Sequence, residues 1–435
     1  TDPEGKYGLT IPKGEVVLLF SMVGMEDVER KAASAGEEIR IDVVMKNVVN
    51  ELDDVVVTGY FNKSKNSFTG AVTQAKREEL RKFGNVNLIQ ALSMVDPSFK
   101  IKENNLMGSD PNTLPDFFVR GESSFMGESN IPTFIVDGYE VTLQRVFDMD
   151  MDRIESITIL KDASATILYG SRAANGVVVI ETRRPEGGKL QVSYSNRTSL
   201  SVADLSDYNL MDAREKLEYE VKSGLFDMNY VTHREHLEKI KQNVARGVNT
   251  DWIEQPVRNA VSHSHSLYID GGTDAVIYGL GMNYNRNAGV MKKSYREVFG
   301  ASFDLTYRIR DKVAIRNSFE FQQTNVRNTP YGSFSLYASA NPYDEGNLIA
   351  KYESHPGQSD TDPQYTNPLY NATLPYKDES TISTITDNLD IDWWLLPELR
   401  FKGSVSLTKT TNTSDKYVSP DHTDFLDQDL EASEK

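Results

Sequence analysis

Cysteine is absent from the 435 residues, which excludes disulfides, zinc–thiolate sites and thiol nucleophiles. No run of eighteen or more apolar residues occurs, so no membrane-crossing helix is encoded. That excludes helical membrane proteins only, because a transmembrane barrel hides its hydrophobicity in alternation. Positive charge is in the minority. The 47 Lys and Arg against 64 Asp and Glu leave a formal net charge of −17, which repels phosphate backbones and argues against nucleic-acid binding. No signal sequence precedes Thr1. The expectation is that a leader has been processed away or that the sequence begins inside a domain.

Recognisable catalytic chemistry is also missing. The patterns G-x-S-x-G and H-E-x-x-H do not occur, and the segment from Gly170 to Gly176 lacks the Lys-Ser/Thr of a phosphate loop. Its better reading is a turn whose glycines permit tight backbone. Asp148, Asp150 and Asp152 alternate like the start of a calcium loop, but Arg153 stands at position six and Ile159 at position twelve. Carboxylates at the start of a helix are the simpler reading. His263 and His265 share a strand face and His233 and His236 a helical face. A metal would need a third ligand, and solvated histidines are the expectation. No catalytic residue, metal or cofactor is expected.

What is present is pattern. The first fifty residues read as short strands and turns, with strands at 16–23 and 39–44, and resemble part of a β-sandwich with uncovered edges. A β-branched segment, Val55-Val56-Val57-Thr58, follows between acidic and polar residues with no obvious partner strand nearby. From 72 to 184 helix and strand signals mix. A short amphipathic helix is expected at 87–95, strands at 117–120, 133–136, 156–160 and 177–182, and a helix at 163–169 stopped by Gly170.

After residue 188 the chain alternates. Leu190, Val192 and Tyr194 fall on one parity with Gln191, Ser193 and Ser195 on the other. The same holds for Val276 to Tyr284, Phe299 to Ile309, Val313 to Phe321, Ile385 to Leu395 and Leu399 to Leu407, with a weaker segment near Leu267 and Ile269. Seven strands are predicted. Most are read as about ten residues, the length of a tilted strand that crosses a bilayer. Tight turns at 272–274, 310–312 and 396–398 alternate with long excursions at 203–262, 287–297 and 323–383. Short turns on one side and long loops on the other are how outer-membrane barrels are built. A soluble β-sandwich also alternates, but does not account for every second connection being short. Seven is odd, and bacterial barrels are even-numbered, so further strands are expected after Lys435. The third excursion carries Tyr331, Phe334, Tyr337, Tyr343, Tyr352, Tyr365, Tyr370 and Tyr376. Aromatic faces suit sugars or peptides, but internal packing is expected for most of them.

A family resemblance rests on the middle of the chain. Pro132-Thr133-Phe134-Ile135-Val136-Asp137-Gly138, then Asp152 through Lys161, Asp162 and Thr166, then Tyr169-Gly170-Ser171-Arg172-Ala173-Ala174-Asn175-Gly176-Val177 resemble the plug signature of SusC/RagA-type TonB-dependent receptors. Arg120-Gly121 resembles the upstream Arg-Gly element. Asp53 to Tyr60 resembles the TonB box, with Asp54, Val55, Val56, Val57 and Thr58 as the TonB-binding residues. Asp53-Asp54 replaces the commoner Asp-Glu, and 96–99 departs from the usual Pro-Gly-Leu element.

The resemblance implies a mainly β protein. Its domains would be the end of a carboxypeptidase-regulatory-like β-sandwich (1–50), a TonB box and linker (51–70), an α+β plug (71–188) and the first strands of an incomplete transmembrane antiparallel barrel (189–435). It further implies TonB-dependent import of oligosaccharides or oligopeptides across the outer membrane. The partners would be TonB, outer-membrane lipid and a SusD-like lipoprotein lid, with a dimer of importer–lid pairs as a further assembly. Plug and box would face the periplasm and the long loops the exterior. A ligand-sensing signalling receptor and a secreted β-sandwich adhesin are the alternatives.

Overall fold

The computed structural model describes residues 8–9, 14–20, 28–34, 41–43, 55–57, 62–64, 72–83, 87–102, 110–114, 116–119, 131–161, 169–170, 173, 175–309, 312–346, 367–396 and 398–425. The chain divides into two units, Thr1–Thr69 and Gly70–Lys435.

In the first unit β1 (Gly14–Phe20) pairs antiparallel with β2 (Val28–Ser34), and β3 (Val55–Val57) pairs with β4 (Asn62–Ser64). Two expectations change. Residues 41–43 carry no strand, whereas the polar run Val28–Ser34 is one. Its pairing with β1 outweighs its weak intrinsic preference, as ladder context commonly does for β structure. The segment Val55–Val57 also has a local partner in β4, although no partner strand is evident nearby in the sequence.

The second unit opens with an α+β layer. Its elements are β5 (Val72–Lys76), α1 (Arg77–Leu80), α2 (Leu88–Val95), β6 (Phe99–Lys102), β7 (Asp116–Val119), β8 (Thr133–Val136), β9 (Tyr139–Val141), α3 (Leu143–Phe147), β10 (Ile154–Leu160) and β11 (Val177–Thr182). The sheet order is β5-β10-β11-β8-β9, with β8 and β11 parallel and the other pairs antiparallel. Strands β10 and β11 are buried almost along their whole length, as expected of central strands covered on both faces. Helix α2 begins at Asn87, whose side chain accepts from the Gln90 N–H in a reciprocal capping box. It lays Leu88, Ile89 and Leu92 into the core with Ile157, Ile159, Val178 and Ile180.

The rest forms one seven-stranded antiparallel sheet in sequence order. Its strands are β12 (Gly188–Ser201), β13 (Ala260–Gly272), β14 (Val276–Ala288), β15 (Tyr295–Ile309), β16 (Val313–Arg327), β17 (Tyr376–Leu396) and β18 (Leu399–Val418). All seven expected strands are present, and shorter and longer connections alternate between them, but the excursion expected at 287–297 shrinks to 289–294 because β14 and β15 extend into it. The strands run 13 to 21 residues rather than about ten. The ladder continues beyond the apolar row, where polar pairs such as the directly opposed Thr384–Thr410 and the diagonal Lys377–Asp415 join β17 and β18.

Alternation separates two faces. One row, including Leu190, Val192, Tyr278, Leu280, Phe303, Tyr307, Trp393 and Phe401, is apolar and exposed. The opposite row, including Ser264, Ser266, Asp270, Arg296, Asp304 and Thr324, is buried and polar. The long connections carry helices α4 (Ala213–Ser223), α5 (Val231–Ala245), α6 (Phe334–Ala338) and α7 (Pro368–Thr373). Among the described residues no helix is long and apolar enough to cross a membrane.

Candidate functional site

The turn at Asp137-Gly138 shows why the signature needs those residues. Asp137 has φ 50° and Gly138 φ 92°, left-handed backbone that Asp tolerates and Gly favours. The turn returns β8 into β9. The Asp137 carboxylate accepts from the Thr182 N–H at 3.0 Å and from its hydroxyl at 2.5 Å, tying the turn to the end of β11. Gly176, at φ 92°, sits where a Cβ would lie 3.1 Å from the Leu160 carbonyl. Tyr169 and Gly170 lie in a short turn with Gly170 at φ 69°, and Asn175 donates weakly to the Ile131 carbonyl at 3.5 Å. The tight-backbone reading of these glycines holds.

Lys161 is placed by charge. Its ammonium lies 2.5 Å from Asp96, a carboxylate only 1% exposed, which also accepts from the Ser98 N–H and hydroxyl. Burial pushes the Asp96 pKa upward, but the Lys161 and Ser98 bonds outweigh it and hold the group below its ordinary value. The departure at 96–99 is thus a closed Asp-Pro turn pinned by Lys161. Arg120, Gly121, Asp162 and Arg172 lie outside the described residues, as do Asp54 and Thr58. Val55, Val56 and Val57 form β3, separated in the chain from the other signature residues.

The densest polar chemistry lies between this α+β layer and the inner row of the sheet. Asp148, just after α3, makes a bidentate pair with Arg296 of β15 at 2.6 and 2.7 Å, with both side chains no more than 3% exposed. The Thr324 hydroxyl and Gln144 amide donate to the same carboxylate. Asp150 caps the turn Met151–Arg153 and accepts from Ser266 of β13 at 2.6 Å. Asp152 holds Arg197 of β12 at 2.7 and 3.2 Å. The helix-start reading therefore covers Asp150, which caps the turn, and Asp152, which lies in it, but not Asp148, which ends α3; all three carboxylates reach the wall. No group of three metal ligands occurs among the described residues.

Basic residues of the layer face wall carboxylates in return. Arg145 donates to Glu320 at 2.7 Å and to Thr386 at 2.6 Å. Arg153 lies 3.8 Å from Asp304 and 3.9 Å from Glu320. Arg183 lies 3.2 Å from Asp270 and stacks over the Tyr268 ring at 4.4 Å. The Tyr139 hydroxyl reaches Asp390 at 3.0 Å. Glycines on the inner row make room for these groups. A Cβ at Gly279 would come within 2.6 Å of the Tyr268 hydroxyl. The paired residues are 45 to 251 positions apart in the chain. Their one sequence signal is charge recurring on the polar parity of the strands, at Arg197, Asp304, Arg316 and Glu320.

His263 and His265 lie on the outer face with ring centroids 5.6 Å apart, and His265 meets the Tyr194 hydroxyl at 2.8 Å. Of the aromatics in the third excursion, Tyr337 and Tyr343 are fully buried and Phe334 is 5% exposed, which agrees with packing. Tyr352 and Tyr365 lie outside the described residues.

The TonB-dependent receptor plug domain family matches residues 64–177. The chain is 29% identical to the TonB-dependent receptor SusC of Bacteroides thetaiotaomicron, over 97% of this chain and 42% of that protein. It is 33% identical to TonB-dependent receptor P39 of Formosa agariphila, over 46% of this chain and 18% of that one. Among solved structures it resembles the RagAB peptide importer in its open-open state with a TM-score of 0.64 and 21% identity, covering 83% of this chain and 43% of the other. The chain thus spans less than half the length of these relatives.

Proposed function

We propose that the chain is the plug and first wall strands of a SusC/RagA-type TonB-dependent receptor, an outer-membrane importer. The observation that carries this reading is the polar junction. An α+β plug with its own apolar core is held to the inner face of a sheet whose outer face carries a largely apolar row. Lipid would cover the outer row, and the plug would close the lumen. The short turns would face the periplasm and the long connections the exterior.

Energy would enter at 54–58. A three-residue β3–β4 ladder is marginal by itself, so Val55–Val57 is readily presented to the exposed sheet edge of TonB, with main-chain hydrogen bonds supplying the affinity. Ligand would be captured among the long connections under a SusD-like lipoprotein lid, and tension on the box would part the plug from the wall. Ionic and hydroxyl bonds suit a surface that must separate, because water can replace each of them.

The test is deletion of 54–58 in the full-length protein. Uptake is expected to vanish while surface expression and ligand binding remain. Uptake that persists at the normal rate sinks the reading.

A further inference from the structure

On the outer face of the wall, β13 sets two imidazoles side by side. His263 and His265 are two residues apart on one strand, so both leave the sheet in the same direction, about 7 Å apart at the backbone. Their ring centroids lie 5.6 Å apart with the planes at 69°. Two imidazoles on one metal ion, each bound through a nitrogen about 2.1 Å away, have centroids about 5 Å apart. The pair already stands close to a chelating arrangement.

The surroundings leave ring nitrogens to a ligand. Among the described residues His263 makes ring contacts, with His265 and with Tyr284 at 5.7 Å, and no hydrogen bond. The Tyr194 hydroxyl meets Nδ1 of His265 at 2.8 Å, and the Asn196 amide nitrogen lies 3.0 Å from Nδ1 and 3.4 Å from Nε2. A proton on Nδ1, donated to the Tyr194 oxygen, leaves the Nε2 lone pair for a metal once the Asn196 amide turns aside. Metal-bound histidines are commonly oriented through their second nitrogen in this way. Arg286, opposite His263 in β14, is drawn to Glu297 at 3.2 Å and lies over the Tyr295 ring. A cation arriving at the pair thus meets a positive charge that is already matched.

We propose that His263 and His265 form a binding site for copper(II), with water completing the coordination. A closed zinc site needs four protein ligands, and no third histidine or carboxylate joins the pair among the described residues. Copper(II) forms the strongest complexes of the divalent first-row ions with a given set of nitrogen and oxygen ligands, and its tetragonal geometry accepts imidazole beside water. The site faces away from the plug, since Ser262, Ser264 and Ser266 occupy the buried inner row of β13. An ion held here belongs to the outer surface of the wall and is not cargo in the lumen. The inference stands apart from the importer reading.

The experiment is titration of the full-length protein, purified in detergent without an affinity tag, with copper(II) chloride in a buffer that does not bind metals. Electron paramagnetic resonance reads the nitrogen ligands directly. The parent is expected to show hyperfine coupling to two imidazole nitrogens. His263→Gln and His265→Gln should each reduce this to one nitrogen and weaken binding at least about tenfold. His233→Gln, in α5, should change neither reading. Both β13 histidines are only half-buried, and unchanged heat-modifiable migration on gels would confirm that the variants fold. Three results overturn the proposal: no copper(II) bound through nitrogen, a two-nitrogen spectrum or an affinity that survives both β13 substitutions, or loss of the signal in His233→Gln instead.

Discussion

The core of the plug and its junction with the wall are held by opposite chemistry. In the core, Leu88, Ile89, Leu92, Ile154, Ile157 and Ile180 have no exposed surface. At the junction, a few residues away along the same chain, Asp148, Asp150, Asp152, Arg145 and Arg153 face charged or hydroxyl partners on the wall. Apolar burial has no substitute in water, so a core of this kind opens only by unfolding. A buried ion pair is different. Desolvation offsets most of its attraction, so the intact pair contributes little net stability, while losing one partner is costly. On the proposed reading the plug would remain a unit while its contact with the wall stays separable.

The sharpest way to break that comparison is to change the chemistry of one pair. Arg296→Ala would leave the Asp148 carboxylate buried and uncompensated, at a cost of about 3–5 kcal/mol. Hydrogen exchange should then rise at the junction first. Leu92→Ala is the control in the core, costing about 2–5 kcal/mol through the cavity it leaves, with exchange rising across the plug sheet. The double substitution Asp148→Leu with Arg296→Met should match or exceed the parent in thermal unfolding. It should nevertheless import poorly, because an apolar contact no longer yields to water. Normal uptake by that variant would show that the plug does not part from the wall there.

How far these features were legible in the sequence depended on how local their causes are. Strands β12 to β18 were readable because a two-residue period reports two faces without knowledge of the partner. Their lengths were not, because polar pairs such as Thr384–Thr410 and Lys377–Asp415 carry no apolar signal and meet only when strands align. The Asp137-Gly138 turn was visible as a dipeptide, whereas its bond to Thr182 joins positions 45 apart. Asp148, Asp150 and Asp152 are a visible pattern, and a helix start accounts for Asp150 and Asp152, but not for the partners of the three carboxylates. Arg296, Ser266 and Arg197 belong to three other strands, and nothing in the local sequence points to them. The bond from the Tyr343 hydroxyl to Glu220 was hidden for the same reason, since the two lie 123 residues apart.

A smaller effect is expected where the two long connections meet, because titration there replaces outright loss of a partner. Burial raises the Asp344 carboxyl to about 7 from an ordinary 3.8, against the opposing pull of Asn341, Lys216 and Lys239. Burial also raises Glu220, despite the Tyr343 hydroxyl and Lys216. A raised carboxyl keeps its proton in the closed form and releases it on opening. The closed form is therefore favoured most at low pH, and its stability falls as pH rises from 3.8 to about 7. Amide exchange across α4 and 341–346 should accelerate through that window and level off above it. Asp344→Asn should flatten most of the profile, with Glu220 responsible for what remains. A profile unchanged by Asp344→Asn would show that this carboxyl does not set the pH dependence of the contact between the two connections.

The smallest effect should come from a charge pair at the same meeting point but in water. Arg246 lies 2.6 Å from Glu345, with the two side chains 63% and 40% exposed. By distance alone it equals Asp148–Arg296. Solvent screens its attraction, however, and neither group was desolvated to form it, so a double-mutant cycle of Arg246→Ala and Glu345→Ala should give about 0.2–1 kcal/mol. Raising the salt concentration should shrink that coupling while leaving the Arg296→Ala cost nearly unchanged, because salt does not reach a pair buried between plug and wall. A coupling at the rim as large as that at the junction would mean that distance, rather than burial, governs these pairs. The contrast between a separable polar junction and ordinary surface charge would then fail.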